Sequence, residues 1–298
     1  MFLYWILVII SIVTVLWLGV VGFSTYKFIF PPKLKDSKLP KNRPKNPKEV
    51  GLEYQEATIS GYKGVPISLW WLPQPQAAPI VILSHGFAIN KAMIITFIKQ
   101  FYERGYQVLA MDHRAHGHSG GVVCTYGYYE RHDMLACLKW VTEKAPNQPI
   151  ILFGASMGSI VNSMLLSLPE TQKFPIRAAV LQSPYADLPT MTRYIIRQHL
   201  GFLETIFAAP IIWFTEKNGN FQLEAVNPAK VLATVSIPKL FILGASDDEI
   251  PASFTKDTYQ MAAEPKELII FEAGHNDIHR VGGKVYWDKV FQFINQYV

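Results

Sequence analysis

The stretch Ile150-Ile151-Leu152-Phe153-Gly154-Ala155-Ser156-Met157-Gly158 decides the reading of this chain. Four apolar residues in a row, bounded by turn formers, read as a short buried strand. A G-x-S-x-G pattern follows at once, then a helical pattern from Ser159 to Leu168. A serine between two glycines, on a sharp strand-to-helix turn, has its hydroxyl pushed out above the sheet edge. Such a turn strains the backbone of the serine, so the residues two positions either side must lack side chains. It also aims the Met157 N–H, at a helix N-terminus, toward the same point. An ordinary strand-to-helix turn can carry the same five residues, and the rest of the chain separates the two readings.

Outward from this turn, the chain alternates strand and helix. Tyr54 to Ser60 and Val65 to Leu72 read as a hairpin turned at Gly61 to Gly64. Short apolar strands are predicted at Ile80–Leu83, Tyr106–Met111, Ala178–Leu181, Leu240–Leu243 and Glu267–Phe271. Helical spacing covers Lys91–Tyr102, Tyr129–Glu143 and about Gly283–Gln296. An antiparallel start followed by repeated strand–helix units predicts an α/β fold, a mostly parallel central sheet with helices on both faces. Ligands in such sheets bind beyond the carboxyl ends of the strands, so the chemistry is sought there. From Asp187 to about Asn227 the alternation breaks into an apolar helical insertion. It reads as a short lid, with most of its apolar residues packed on the core and some lining a pocket.

A serine hydroxyl needs a base within hydrogen-bond reach, and the base needs an orienting acid. Both follow strands later in the chain. Phe241–Leu243 leads into Gly244-Ala245-Ser246-Asp247-Asp248-Glu249-Ile250-Pro251, and Ile269–Phe271 into Glu272-Ala273-Gly274-His275. His275 is the expected general base and Asp247 its orienting acid. Each has a plainer reading, a helix cap for Asp247 and a loop histidine for His275. Serine, acid and histidine in that order, each at a strand end, favour the chemical one. The oxyanion formed by attack on a carbonyl needs two backbone donors. Met157 N–H is one; Phe87 N–H, in Ser84-His85-Gly86-Phe87, is the expected other, with His85 bracing that loop. A rival reading takes His113, His116 and His118, just after a strand, as zinc ligands. Such a site needs further ligands, and none is clearly grouped with them.

In these motifs the chain resembles the α/β-hydrolase superfamily, and within it the membrane-anchored serine hydrolases related to monoacylglycerol lipase and prolyl oligopeptidase. The resemblance rests on Ser84–Phe87, Asp112-His113-Arg114-Ala115-His116-Gly117-His118-Ser119, Gly127–Asp133, Gly154–Gly158, Ser183-Pro184-Tyr185, Gly244–Pro251 and Gly274-His275, in the family's order. It covers about Tyr54 to Val298. It implies an α/β-hydrolase fold, a triad of Ser156, Asp247 and His275, and oxyanion donors at Phe87 and Met157, with no cofactor and no metal. Ala115 departs from the glycine usual there. Asp248 adjoins Asp247, and Asp187 is a more distant alternative acid; Asp247 is preferred because it stands four residues before Pro251.

Composition sets the context. Half of the 298 residues are apolar and 17% are charged, enough for a sizeable core. The first 26 residues carry no charged side chain, and Phe2–Phe23 is long and apolar enough to cross a bilayer. The missing basic n-region and A-x-A site argue for a retained anchor over a cleaved signal. Lys27 to Lys48 holds eight basic residues, one acid and five prolines, composition for an extended spacer without a core. The net charge of +5 belongs to this segment; without it the chain has 20 basic against 22 acidic residues. The basic balance therefore implies no nucleic-acid partner and fits anionic lipid head groups beside an anchor. Basic residues after the helix, and none before it, place the large domain in the cytoplasm. Cys124 and Cys137 fit a reducing compartment and buried apolar roles.

The expected organisation is a transmembrane anchor at 1–26, a basic Pro-rich linker at 27–50 and a hydrolase domain at 51–298, with its lid at about 187–227. The expected activity is hydrolysis of carboxylic esters of apolar or acyl-lipid type through an acyl-enzyme on Ser156. A serine peptidase or amidase acting on small peptides is the alternative with the same residues. A non-catalytic scaffold on the same fold is the alternative without them.

Overall fold

The sheet order explains where the turn at Ser156 sits. In a computed structural model describing residues 1–34, 39–40 and 42–298, eight strands form one sheet in the order β1-β2-β4-β3-β5-β6-β7-β8. They are β1 (Gln55–Ser60), β2 (Pro66–Leu72), β3 (Ile80–Ser84), β4 (Gln107–Met111), β5 (Ile150–Ala155), β6 (Ile176–Gln182), β7 (Lys239–Gly244) and β8 (Lys266–Phe271). The hairpin β1–β2 is antiparallel, β2 pairs antiparallel with β4, and every later pairing is parallel. Strands β3, β4, β5 and β7 are buried along nearly their whole length, as strands covered on both faces must be, while the edge strand β1 is largely open and the edge strand β8 half-buried.

The period of two along these strands divides the core. Ile80, Ile82, Ile150 and Leu152 face one way, with Leu138, Ile160 and Val161 from α3 (Glu130–Lys144) and α4 (Met157–Leu165). Val81, Leu83, Ile151 and Phe153 face the other, with Phe97 and Phe101 of α2 (Ile95–Tyr102) and Trp287 and Phe291 of the last helix. The fold is the expected α/β-hydrolase fold.

Several elements differ from expectation at their ends. The helix after Ser156 starts at Met157 and stops at Leu165. The segment from Lys91 opens as a 3-10 turn, Lys91–Ile94, before α2 begins. The last helix starts earlier than expected, spanning Ile278–Ile294 with a break at Gly283, whose φ of 48° no helix allows.

Among the described residues, two helical regions are long and apolar enough to cross a membrane: α1 (Phe2–Ile29) and the stretch Leu188–Gly219. The first runs three residues beyond the expected boundary at 26. Only Val21, Thr25, Phe28 and Ile29 of α1 are buried, toward its end; the rest is exposed or half-buried, with Trp17 stacked on Phe207. The expectation that Lys27–Lys48 contributes nothing to a core is corrected here: Phe28, Ile29 and Leu39 are buried against the domain. They are three of the apolar residues of a basic segment, with Phe30 and Leu34 partly buried beside them, and removing such side chains from water is favourable. Lys33 Nζ bonds the Ser119 carbonyl at 2.8 Å, and Asn90 Nδ2 the Leu34 carbonyl at 3.0 Å. The readings of Lys35, Asp36, Lys38 and Lys41 lie outside the described residues.

The insertion after β6 forms α5 (Leu188–Leu200) and α6 (Glu204–Gly219), followed by α7 (Pro228–Leu232); α8 (Ala252–Met261) follows β7, and the last helix is α9. Ile196, Ala208 and Ile211 pack with Val21 of α1 in a small separate cluster. Phe202 is 86% exposed, with Ile206 and Trp213 also bare. These three residues of the insertion neither pack on the core nor line an enclosed space.

Candidate active site

Two close approaches build the turn at Ser156. A Cβ on Gly154 would overlap the carbonyl of Gly158, and one on Gly158 the carbonyl of Ser84. Strand β5 can therefore turn into α4 directly beside the end of β3 only with glycine at both places. Ser156 takes φ 54° and ψ −126°, a strained combination for a residue with a side chain. Its N–H is held by the Gln182 carbonyl of β6 at 2.9 Å. Ser84 pairs with Gly154 in the sheet, which brings the loop after β3 alongside. There a Cβ on Gly86 would stand 3.5 Å from Ser156 Cβ. Neither Phe87 N–H nor Met157 N–H donates to a backbone carbonyl among the described residues.

His275 and Asp247 meet from the ends of β8 and β7. His275 Nδ1 lies 2.7 Å from Asp247 Oδ2, with both residues buried. Asp247 Oδ2 also accepts from the Ser183 hydroxyl at 3.0 Å. Its Oδ1 accepts from Ile250 N–H at 2.7 Å and Glu249 N–H at 3.1 Å. The carboxylate thus holds its own turn and the imidazole at once, with each oxygen taking two donors. Burial opposes the imidazolium, but the bond to Asp247 and its charge, with Glu249 and Asp248 nearby, hold His275 above the ordinary histidine range. Asp248 is exposed, and Asp187 caps α5 by accepting from Thr190 N–H. The Ser156 hydroxyl and His275 are not hydrogen-bonded to each other; contacts of this kind commonly tighten only around substrate.

His85 braces its loop from both sides. Its Nδ1 donates to the Gly86 carbonyl at 2.7 Å and its Nε2 accepts from His113 N–H at 3.0 Å, so the ring is neutral. Burial first, then His116, hold it down to about 3. His113 and His116 stack edge-on against it and are also buried and held low. Of the three histidines in the zinc reading, His118 is exposed where the other two are buried, and its backbone N–H is on Asp112 Oδ2. Among the described residues, no three histidine, cysteine or acidic side chains are grouped to hold a metal. Ala115 adopts φ 63°, so the turn keeps a left-handed shape without the usual glycine.

Sequence reasoning missed three features. Ser183, at the end of β6, reaches Asp247; it lies in a motif noted for family resemblance alone, and its position at a strand end was the available signal. Glu249 puts Oε2 3.9 Å from His275 Nε2, the nitrogen that faces a substrate in the expected mechanism. Lys91 and Asp112 form a buried ion pair at 2.6 Å that ties the start of the α2 segment to the end of β4. No local pattern marks that pair.

A protein of Bacillus subtilis called "uncharacterized protein YqkD" is 28% identical over 66% of this chain, a match spanning 64% of that relative's length. The lysophosphatidylserine lipase ABHD12 of Danio rerio is 23% identical over 70% of this chain and 57% of its own. Among solved structures, an esterase of Pyrococcus furiosus superposes with a TM-score of 0.72 at 25% identity, covering 90% of this chain and 98% of its own. The sequence model of the family described as serine aminopeptidase, S33 (Hydrolase_4) matches residues 75–234, from before β3 to the loop before β7. Since that match takes in the Ser156 turn and more than half of the sequence, the chain belongs to the serine aminopeptidase, S33 family of α/β-hydrolases.

Proposed function

We propose that this protein is a membrane-anchored serine hydrolase that cleaves carboxylic esters of apolar or acyl-lipid type. The reading rests above all on the Asp247–His275 hydrogen bond at the ends of adjacent strands, on the same sheet edge as Ser156 on its strained turn. In the proposed reaction, Ser156 Oγ attacks the ester carbonyl carbon as His275 Nε2 takes its proton. The carbonyl oxygen becomes an oxyanion that accepts from Phe87 N–H and Met157 N–H. Collapse expels the alcohol, which takes the proton back from His275, and leaves Ser156 acylated. Water then attacks with His275 as base, releasing the acid and restoring the hydroxyl. Asp247 holds the imidazole with its proton on Nδ1 throughout.

The apolar insertion and α1 support an apolar substrate, as do the esterase and lipase named among the similar proteins. The family's description as an aminopeptidase favours a second reading, amide cleavage in small peptides by the same residues. For location, α1 is the proposed single span, with Lys27, Lys33 and the bases after them on the cytoplasmic side together with the domain.

The test is fluorophosphonate labelling of the full chain in detergent, with Ser156→Ala and His275→Ala checked by circular dichroism. Labelling is expected to vanish in the first and fall sharply in the second. A folded wild type that does not label removes the activity and favours the scaffold reading. Faster turnover of peptide amides than of p-nitrophenyl esters reverses the substrate choice. Protease digestion of the domain in sealed right-side-out vesicles reverses the topology.

A further inference from the structure

The end of the apolar helix α1 does more than emerge from a bilayer. Its last turn is tied to the chain segment Cys124–Tyr126, and that segment touches both expected oxyanion donors. On the helix side, Cys124 N–H donates to the Ile29 carbonyl at 2.8 Å, and the Tyr126 hydroxyl to the Phe28 carbonyl at 2.7 Å. The Phe28 ring stacks on Tyr126 at 4.7 Å. On the site side, Tyr126 stacks on Phe87 at 5.3 Å, with ring planes 15° apart. Cys124 Sγ lies 3.4 Å from the Met157 sulfur. Three rings, Phe28, Tyr126 and Phe87, thus run from the helix end to the loop after β3.

The segment is held in a conformation it would not choose alone. Tyr126 has φ 53°, the left-handed region that a bulky side chain rarely occupies. Glu130 fixes the turn from below, accepting from Thr125 N–H, the Thr125 hydroxyl and Gly127 N–H. The helix end closes it from above. Backbone strain kept in place by several independent contacts, next to a reaction site, is the observation that points to a positioning role.

We propose that the last turn of α1 positions the oxyanion hole: Phe28 and Ile29, acting through Cys124 and Tyr126, set the backbone of Phe87 and Met157. The proposal rests on the serine-hydrolase reading above. It makes the anchor a built part of the active site as well as a tether. Phe28 and Tyr126 touch no reacting atom and are positioning residues. Donors must meet the oxyanion within a few tenths of an ångström, so displacement of this stack is expected to lower turnover and leave ground-state binding largely alone.

The experiment uses the full chain in detergent micelles with p-nitrophenyl butyrate, a water-soluble ester, so that partition into a membrane does not enter. Phe28→Leu keeps an apolar side chain and removes the stack. It is expected to lower kcat by roughly ten- to a hundredfold with KM within about twofold. It is also expected to weaken inhibition by a trifluoromethyl ketone, whose serine adduct carries an oxyanion, by a similar factor. Phe28→Tyr restores the ring and is expected to restore kcat. Tyr126→Phe keeps the stack, loses only the bond to the Phe28 carbonyl, and decides the matter if Phe28→Leu does not fold; a smaller kcat loss is expected. Val13→Ala, on the bare part of α1, serves as control and is expected to change nothing. Wild-type kcat in folded Phe28→Leu, or in Tyr126→Phe where Phe28→Leu does not fold, overturns the proposal. So does a change confined to KM, or a loss that Phe28→Tyr does not repair. Activity surviving in Ser156→Ala would instead refute the serine-hydrolase reading itself.

Discussion

Replacing Asp247 by asparagine tests the proposed mechanism most sharply, because the structure decides which way the new amide must point. Oδ1 receives two backbone N–H groups, from Glu249 and Ile250, and Oδ2 receives His275 and the Ser183 hydroxyl. An amide nitrogen placed at Oδ1 would face two donors that cannot turn away. Each buried donor left unpaired costs about 1–3 kcal/mol, so this orientation is disfavoured by roughly 2–6 kcal/mol. At Oδ2, by contrast, the Ser183 hydroxyl can rotate to accept, and His275 can accept at Nδ1 by moving its proton to Nε2. The amide nitrogen therefore goes to His275 and imposes the wrong tautomer. With Nε2 protonated, the imidazole cannot take the proton of Ser156.

The expected result for Asp247→Asn is a folded protein whose kcat falls by about 10³–10⁴, up to the fall of about 10⁴ that the same change causes in a serine protease triad. That corresponds to about 4–5.5 kcal/mol of barrier. The assay is kcat and KM for p-nitrophenyl butyrate at pH 8, with fluorophosphonate labelling rate and circular dichroism alongside. A folded variant with kcat within tenfold of wild type would refute the reasoning. Parallel measurements on Asp248→Asn and Asp187→Asn would then show whether the acid lies elsewhere.

Three further outcomes are expected. Glu249→Gln removes a negative charge 3.9 Å from His275 Nε2 and so makes the imidazolium less favourable. The acid limb of kcat/KM should move to lower pH by about 0.5, the small size reflecting solvent screening at an exposed carboxylate; a limb that stays or moves up contradicts the assignment of that limb to His275. The buried histidines should make the fold acid-sensitive. His85, held down to about 3 against about 6.5 when unfolded, contributes stability that is complete above pH 6.5 and is lost as pH falls toward 3, about 2 kcal/mol of it by pH 5. His113 and His116 act in the same direction and His275 in the opposite one; urea midpoints equal at pH 7.5 and pH 5 would contradict this balance. Gly158→Ala drives a methyl into the Ser84 carbonyl and should cost about 3 kcal/mol together with most labelling, read by urea unfolding, and an unchanged midpoint would mean that β3 and α4 can separate freely.

Much of the site was legible before the structure because it depends on short stretches of chain. The Ser156 turn is legible in residues 150–158, where the turn itself brings Gly158 against Gly154; the need for glycine at 158 comes from Ser84 on the neighbouring strand. Asp247 and His275 were legible by their positions after apolar strands. Their contact was not, because 28 residues separate them and the parallel pairing of β7 with β8 is what aligns their ends. Asp247 stood beside Asp248 with no local feature to separate them beyond distance to Pro251; the direction of the His275 ring distinguishes them.

Residues 27–48 show the opposite case. Their charge and prolines read as a spacer, and Phe28, Ile29 and Leu39 carried no periodicity that would reveal a buried face. By itself the sequence determined the strand–helix alternation, the Ser156 turn, the apolar helix and which side chains are proposed to react. Each follows from local sterics or from hydrophobic periodicity within a few turns of chain. Only the tertiary structure decided that Ser183 supports Asp247, that Lys91 pairs with Asp112, and that the end of α1 lies against Tyr126. Those contacts join residues 64, 21 and 98 positions apart. They exist because a sheet ordered β1-β2-β4-β3-β5-β6-β7-β8 brings distant strand ends to one edge, where buried polar groups must find partners or lose their solvation.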